Sequence, residues 1–256
     1  MVKQGSPVQE NRPSHIKRDQ FGRAWRLLGT AISFFLFGLG GLIFGICVFP
    51  VIYLFVRNAD KRLIATRKTV GWAFKMFIEI MKGLGVLSYK IEGAENIGVD
   101  QNQLIIANHP TLIDVVFLVS LFPMADCVVK EAVRKNPFMH GVVSSAKYIS
   151  SDDPVKLLDT CIRRLKSGAS LLLFPEGTRT IPGRALKFKP GAAFIALKSG
   201  VDILPVSIQC TQPRLLAKYQ PWYLVPVDKP LFCIKIYPPV PLESMVPDNI
   251  QVRQGT

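Results

Sequence analysis

Polar and apolar positions divide the chain into three regimes. Residues 27–56 carry no charge for 30 positions, are rich in Phe, Leu, Ile and Gly, and are bounded by Arg26 and Arg57. A helix of that length reaches across the roughly 30 Å hydrocarbon core of a bilayer. Residues 60–84 follow a different period: Leu63, Val70, Phe74, Phe77 and Met81 recur at helical spacing, with Arg62, Lys68, Lys75 and Lys82 elsewhere around the helix. Such a helix suits an anionic lipid surface, or a sheet below it and water above. From Tyr89 onward, short β-rich runs at 89–92, 104–107, 127–130, 170–174, 203–208 and 232–237 alternate with helical stretches, which predicts an α/β layered domain. The best-marked helix starts at Asp152 or Asp153 with Pro154 in its first turn. It shows Val155, Leu158, Ile162 and Leu165 on one face and stops near Gly168.

These regimes predict a mobile polar tail at 1–20, a membrane anchor with a basic amphipathic helix at 21–84, the α/β domain at 85–243 and a second tail at 244–256. His15 falls in the first tail, where a solvated side chain without function is expected. Lys17, Arg18, Arg23 and Arg26 precede the apolar run, and Arg57, Lys61, Arg62, Arg67 and Lys68 follow it. Positive charge on both flanks pulls both ends toward the cytoplasm, so a hairpin competes with a single spanning helix. Gly38, Gly40, Gly41 and Gly45 offer a turn for the hairpin, and equally a place where helix backbones come close. The long polar lead-in and the lack of a small-residue cleavage pattern argue against a cleaved signal peptide.

Charge sharpens this picture. The formal net charge is +14, of which residues 1–90 hold +10, with 14 Lys and Arg against 4 Asp and Glu. An excess of this kind implies an anionic partner. Nucleic acid is the poorer choice, because no basic strip with interleaved aromatics and no docking motif appears. A membrane lipid surface fits the apolar run. The five cysteines, Cys47, Cys127, Cys161, Cys210 and Cys233, are scattered through apolar surroundings and match no metal-ligand spacing, so they read as reduced core residues. No metal site and no cofactor is expected.

Two segments carry candidate chemistry. In Leu104-Ile-Ile-Ala-Asn-His-Pro-Thr-Leu-Ile-Asp114 a buried strand ends in a loop and a helix start, so His109 emerges at a strand terminus. Asp114 folds back toward that ring if the residues between form a first helical turn, which would fix the tautomer and stabilise the protonated base. In Leu171-Leu-Leu-Phe-Pro-Glu-Gly-Thr-Arg-Thr180 a second strand runs into a polar loop; Gly177 lets backbone approach a ligand, and Arg179, with Arg184, Lys187 and Lys189 behind it, suits phosphate. Each segment alone also reads as ordinary structure, a helix-turn aspartate beside a packed histidine in the first and a solvated basic loop in the second. His140 has no carboxylate nearby in sequence and reads as structural, while Trp222 and Tyr223 fit packing, an acyl tunnel or a membrane interface.

In this order, the segments resemble the glycerophospholipid acyltransferase family. Asn108-His-Pro-Thr-Leu-Ile-Asp114 is similar to its catalytic block, Phe174-Pro-Glu-Gly-Thr-Arg179 to its acceptor-binding block, Phe188-Lys-Pro-Gly191 to the basic stretch that follows, and Ile203-Leu-Pro-Val206 to its proline-containing strand. The resemblance spans about residues 85–240. It implies a central mixed β-sheet flanked by helices, with an N-terminal apolar anchoring helix or helical hairpin. It implies His109 as the base and Asp114 as its orienting partner, with Asn108, Glu176, Gly177, Thr178 and Arg179 at the acceptor, Lys189 as a second positive contact and Pro205 shaping the pocket. The activity implied is transfer of a fatty acyl chain from acyl-CoA or acyl carrier protein to a lysophospholipid hydroxyl, most directly that of 1-acylglycerol 3-phosphate, at the cytoplasmic face of a membrane. Direct attack needs no covalent intermediate, in keeping with the lack of a G-x-S-x-G elbow. One block departs: where the family often has an aromatic-Ile-Asp-Arg stretch, this chain has Tyr148-Ile-Ser-Ser-Asp152. Other acceptors, such as a lyso-ornithine lipid, therefore stay open, as does a non-catalytic lipid-binding adaptor.

Overall fold

The computed structural model describes residues 13–98, 102–150 and 152–245, with side chains from Phe21 to Ser244. Residues 1–12 of the expected first tail and 246–256 of the second lie outside the described residues; residues 13–20 form the first turns of a helix. That helix, α1 (Pro13–Ile43), continues through a single π-helical turn (Phe44–Val48) into α2 (Phe49–Phe55). The apolar run is thus one unbroken helix, Phe21–Phe55, of 35 residues. The reversal comes after it, at residues 56–58, and leads into α3 (Ala59–Gly83). Asn58 caps α3 by accepting from the amides of Asp60 (3.0 Å) and Lys61 (2.9 Å). Asp60 in the first turn and Lys82 in the last complement the helix dipole.

The glycines of the apolar run make close packing and not a turn. A Cβ on Gly41 would lie 2.0 Å from the Phe138 carbonyl oxygen, and one on Gly141 would lie 2.5 Å from the Gly45 Cα. The backbone of α6 (Pro137–Ser145) therefore rests directly on α1 and the π turn. Higher up, the Trp25 indole donates to the Leu84 carbonyl (2.9 Å), Arg26 donates to the Pro226 carbonyl (3.0 Å), and Phe34 meets Trp222 edge-on at 6.3 Å. One side of the helix is thus covered by the α/β domain from Trp25 to Phe49, the latter being 1% exposed. The other side leaves large apolar groups open, among them Phe21, Phe35, Ile46, Leu54 and Phe55 at 67–77% exposure. Cys47 lies on an exposed position of this helix, a departure from the expected core cysteine, whereas Cys127 and Cys161 are buried.

The α/β domain is built on a six-stranded sheet in the order β1-β6-β5-β2-β4-β3. The strands are β1 (Ser88–Glu92), β2 (Gln103–Ala107), β3 (Asp126–Cys127), β4 (Leu171–Leu173), β5 (Asp202–Cys210) and β6 (Leu231–Ile236). β5, β2, β4 and β3 are parallel; β6 pairs antiparallel to β5, and β1 parallel to β6, so the sheet is mixed. Because Phe232 pairs with Cys210, β6 and β1 start at the rim where β5 and β2 end. β2 and β4 have apolar runs without alternation, as strands covered on both faces do. Beyond β3, Ile149 forms a parallel bridge with Val128. The helices α4 (Asp114–Leu121), α5 (Glu131–Lys135), α6, α7 (Pro154–Lys166) and α8 (Gly191–Ser199) follow the strands. α7 is the helix expected from sequence, with Asp153 as its cap accepting from the Val155 amide (2.9 Å) and Pro154 at its start.

A buried charge cluster ties the helical pair to the sheet. Arg67 of α3 is 3% exposed; its guanidinium donates to the carbonyls of Met124 (2.8 Å) and Ala146 (3.0 Å) and pairs with Asp126, which is fully buried at the start of β3. Arg164 of α7 binds the same carboxylate through Nε (2.7 Å) and Nη2 (3.0 Å). Removing the shared acceptor strands two guanidinium groups, one of them buried. Asp126→Ala is expected to cost about 3–5 kcal/mol of stability, read as a lower midpoint of thermal or urea unfolding in detergent; a midpoint within error of the parent would show that the cluster is not structural.

Candidate active site

β2 and β4 both deliver a loop to the same rim of the sheet. The last paired residue of β2 is Ala107, and the Asn108 side chain then continues the ladder in place of backbone. Its Oδ1 accepts from the Ile208 amide (2.7 Å) and its Nδ2 donates to the Ile208 carbonyl (2.8 Å). With Asn108 clamped on β5, His109 leaves the sheet in a fixed direction.

The His109 ring places Nδ1 2.9 Å from Asp114 Oδ2. Asp114 is the first residue of α4 and is fully buried, while the His109 side chain keeps 14% exposure. The same carboxylate accepts from the Thr111 amide (2.6 Å) and hydroxyl (2.5 Å), closing the tight turn that carries the aspartate back under the ring. Burial pushes the Asp114 carboxyl above the usual range, and its bonds with His109 and Thr111 pull it back. A carboxylate in so dry a place favours a positive partner, which is what an imidazole becomes when it takes a proton. With Nδ1 carrying the hydrogen toward Asp114, Nε2 is left with its lone pair free to act as a base.

The β4 loop is stitched to this one. Glu176, 8% exposed, accepts from the His109 amide (2.9 Å) and the Thr180 hydroxyl (2.9 Å), and the Thr180 amide donates back to the His109 carbonyl (2.7 Å). Gly177 closes the turn by donating to the Phe174 carbonyl (3.0 Å) at φ +64°, a left-handed conformation that favours glycine. A Cβ there would also meet Lys189 Cε and Nζ at 2.9 Å, so the Lys189 side chain lies across the turn. The Phe174 ring stacks on the His109 ring, centroids 4.2 Å apart and planes 23° from parallel.

A family model described as Acyltransferase matches residues 88–209. A solved structure, the 1-acyl-sn-glycerophosphate (LPA) acyltransferase of Thermotoga maritima, superposes with a TM-score of 0.70 at 26% identity, over 86% of each chain. Over residues 88–209 the chain is thus similar to acyltransferases. Among curated relatives, a chloroplastic 1-acyl-sn-glycerol-3-phosphate acyltransferase of Arabidopsis thaliana is 35% identical over 128 residues, 47% of this chain and 36% of that one. The 1-acyl-sn-glycerol-3-phosphate acyltransferase of Saccharomyces cerevisiae is 26% identical over 198 residues, 73% of this chain and 63% of that one. The match thus covers little more than a third of the Arabidopsis protein and under two thirds of the yeast one.

The expected acceptor residues occupy varied positions. Asn108 and Glu176 face inward and spend their polar atoms on β5 and on the two loops, so they position the site. Arg179 is half-buried and its Nη1 donates to the carbonyls of Leu216 (2.9 Å) and Ala217 (3.3 Å), tying down the segment that also accepts from the Leu112 amide (3.1 Å). Its Nε and Nη2 have no partner among the described residues and remain for an anion. Thr178 is half-buried on the same loop, and Lys189 is exposed. Pro205 lies within β5 opposite Ile106, its carbonyl accepting from the Tyr237 amide (3.0 Å), set back from the rim that His109 occupies. Among the described residues His140 pairs with no carboxylate; its Nδ1 lies 2.9 Å from the Arg134 carbonyl oxygen.

At the departing block, Ser150 donates to Glu131 (2.5 Å), and Glu131 holds Arg134 of α5. A guanidinium thus stands near the stretch that lacks one in sequence, on the same rim as the other loops. Thr111 and Phe174 escaped the sequence reading although both lie inside the motifs; the signals were a hydroxyl three residues before the aspartate and an aromatic residue at the strand end. Among the described residues no group of three or more His, Cys, Asp or Glu side chains is placed to hold a metal. Thr111→Val keeps the shape and leaves a buried carboxylate oxygen without its hydroxyl, so a loss of about 1–3 kcal/mol in unfolding free energy is expected; a stability equal to the parent would remove Thr111 from the network.

Proposed function

We propose that this chain is a membrane-associated O-acyltransferase that moves a fatty acyl group from a thioester donor, acyl-CoA or acyl carrier protein, to the free hydroxyl of 1-acylglycerol 3-phosphate, giving phosphatidic acid. The observation that carries this reading is the His109–Asp114 pair, oriented through Nδ1, with Nε2 free at a rim where Arg179 and Lys189 supply positive charge. The names of the relatives support the acceptor. In the step, Nε2 takes the hydroxyl proton as the acceptor oxygen attacks the thioester carbon. The tetrahedral intermediate collapses, the C–S bond breaks, and the imidazolium returns its proton to the departing thiolate. Asp114 holds the ring in one tautomer and balances its transient charge. The spare nitrogens of Arg179 suit a phosphate monoester, which two parallel N–H groups bind in a fork.

Membrane attachment in this reading is lateral. The helix packs on the domain along one side between Trp25 and Phe49, its open side is apolar, and the chain carries a +14 charge. The helix therefore lies in one leaflet, with the basic side chains of α3 near the headgroups of the cytoplasmic face of the inner or plasma membrane in a bacterial cell.

Purified protein in detergent, given palmitoyl-CoA or palmitoyl-acyl carrier protein against 1-acylglycerol 3-phosphate, glycerol 3-phosphate and lyso-ornithine lipid, is expected to form phosphatidic acid. His109→Ala is expected to lower the rate by at least about a thousandfold, as loss of a general base with its positioned hydrogen bond does. Product from lyso-ornithine lipid alone would move the acceptor while keeping the chemistry, and undiminished transfer by His109→Ala would refute the mechanism.

A further inference from the structure

We infer that Phe174 is a positioning residue for the His109 base, its ring forming the wall that fixes the plane in which the imidazole works. The inference rests on the acyltransferase reading above and extends it to a side chain that touches the proposed base.

A single hydrogen bond from Nδ1 to Asp114 fixes one edge of the imidazole and leaves the ring free to rock about the Nδ1···Oδ2 line. Rocking sweeps Nε2 through an arc, and proton abstraction needs that atom within hydrogen-bond reach of the acceptor hydroxyl. The Phe174 face, 4.2 Å away and 23° from parallel, closes that freedom. The wall is itself held. Phe174 directly follows β4, packs on the main core cluster, and anchors the Gly177 turn by accepting its amide proton at 3.0 Å. Asp114 and Phe174 therefore constrain the ring along an edge and across a face, from two different strand-end loops that Glu176 and Thr180 lock together.

The stack also has an electrostatic side. During transfer the imidazole becomes a cation, and an aromatic face attracts a cation placed over it. With the His109 side chain only 14% exposed, water screens this attraction little. A leucine of similar reach would fill the space and supply neither the flat wall nor the negative face.

The test compares Phe174→Leu with Phe174→Tyr and Phe174→Trp, each checked for a parent-like circular dichroism spectrum, with Phe174→Met replacing the leucine variant if that one does not fold. The aliphatic variant is expected to lose about tenfold in kcat with KM within about twofold of the parent, and the aromatic variants to stay within about threefold of the parent kcat. A second readout needs no turnover: in the imidazole 15N spectrum, with His109 assigned by its disappearance in His109→Asn, the parent is expected to show narrow His109 lines and Phe174→Leu lines broadened by exchange as the ring rocks. Parent-like kcat in Phe174→Leu, aromatic variants as slow as it, or an unchanged His109 spectrum would each overturn the inference. If the parent transfers no acyl group to any acceptor, the proposed function falls while the spectrum still decides the stack.

Discussion

A single carboxylate, Asp126, holds the two halves of this molecule in register. It receives Arg67 from the long helical pair and Arg164 from α7, and Arg67 also spans to the carbonyls of Met124 and Ala146. Buried ion pairs seldom add net stability over an apolar replacement, because both partners lose their hydration. Their effect here is geometric. A guanidinium with several fixed acceptors tolerates neither sliding nor rotation of α3, and α1 follows because its glycines sit on the α6 backbone. Apolar contacts alone would let two smooth helices slip along the domain; the charge cluster sets where they stop.

The candidate site obeys the same logic at smaller scale. Few of its polar groups point outward. Asn108, Thr111, Glu176 and Thr180 bond to one another's loops or to β5, while His109, part of Arg179, and Lys189 keep polar atoms without such partners among the described residues. Chemistry that depends on a base aimed within a fraction of an ångström benefits from groups that are already bonded before substrate arrives, since no free energy of reorganisation is then spent during reaction. Desolvation of Asp114 completes the arrangement, because a carboxyl pushed upward by burial responds most strongly to a positive charge forming beside it.

Much of this was legible in the sequence, for identifiable reasons. β2 and β4 read as strands because covered parallel strands are apolar without interruption, and α7 announced itself through Asp153 and Pro154. The His109 and Asp114 spacing read as a pair because a turn of that length returns a side chain onto the first residue. Less legible were the residues whose contacts depend on a distant partner. Gly41 and Gly45 look like hinge material until Phe138 and Gly141, nearly a hundred positions away, are laid on them. The bonding partners of Asn108 and Glu176, which are Ile208 and the His109 backbone, are likewise invisible to spacing. Cys47 was grouped with the buried cysteines because its neighbours are apolar, and apolar neighbours here line an open helix face.

The reversal of strand direction between β5 and β6 has a reach beyond the sheet. Since β6 and β1 start where β2 ends, the chain leaving α3 enters the sheet at the same rim as His109, three strands away from β2, and Leu84 and Val86 hold the Trp25 and Gly29 stretch of α1 at that rim. Were β1 parallel to β2, the same connection would arrive at the far edge, a strand length of roughly 17 Å away. The direction of two strands thus decides that the apolar helix and the imidazole meet one rim of the sheet, and a fold that reversed them would set a strand's length between the two.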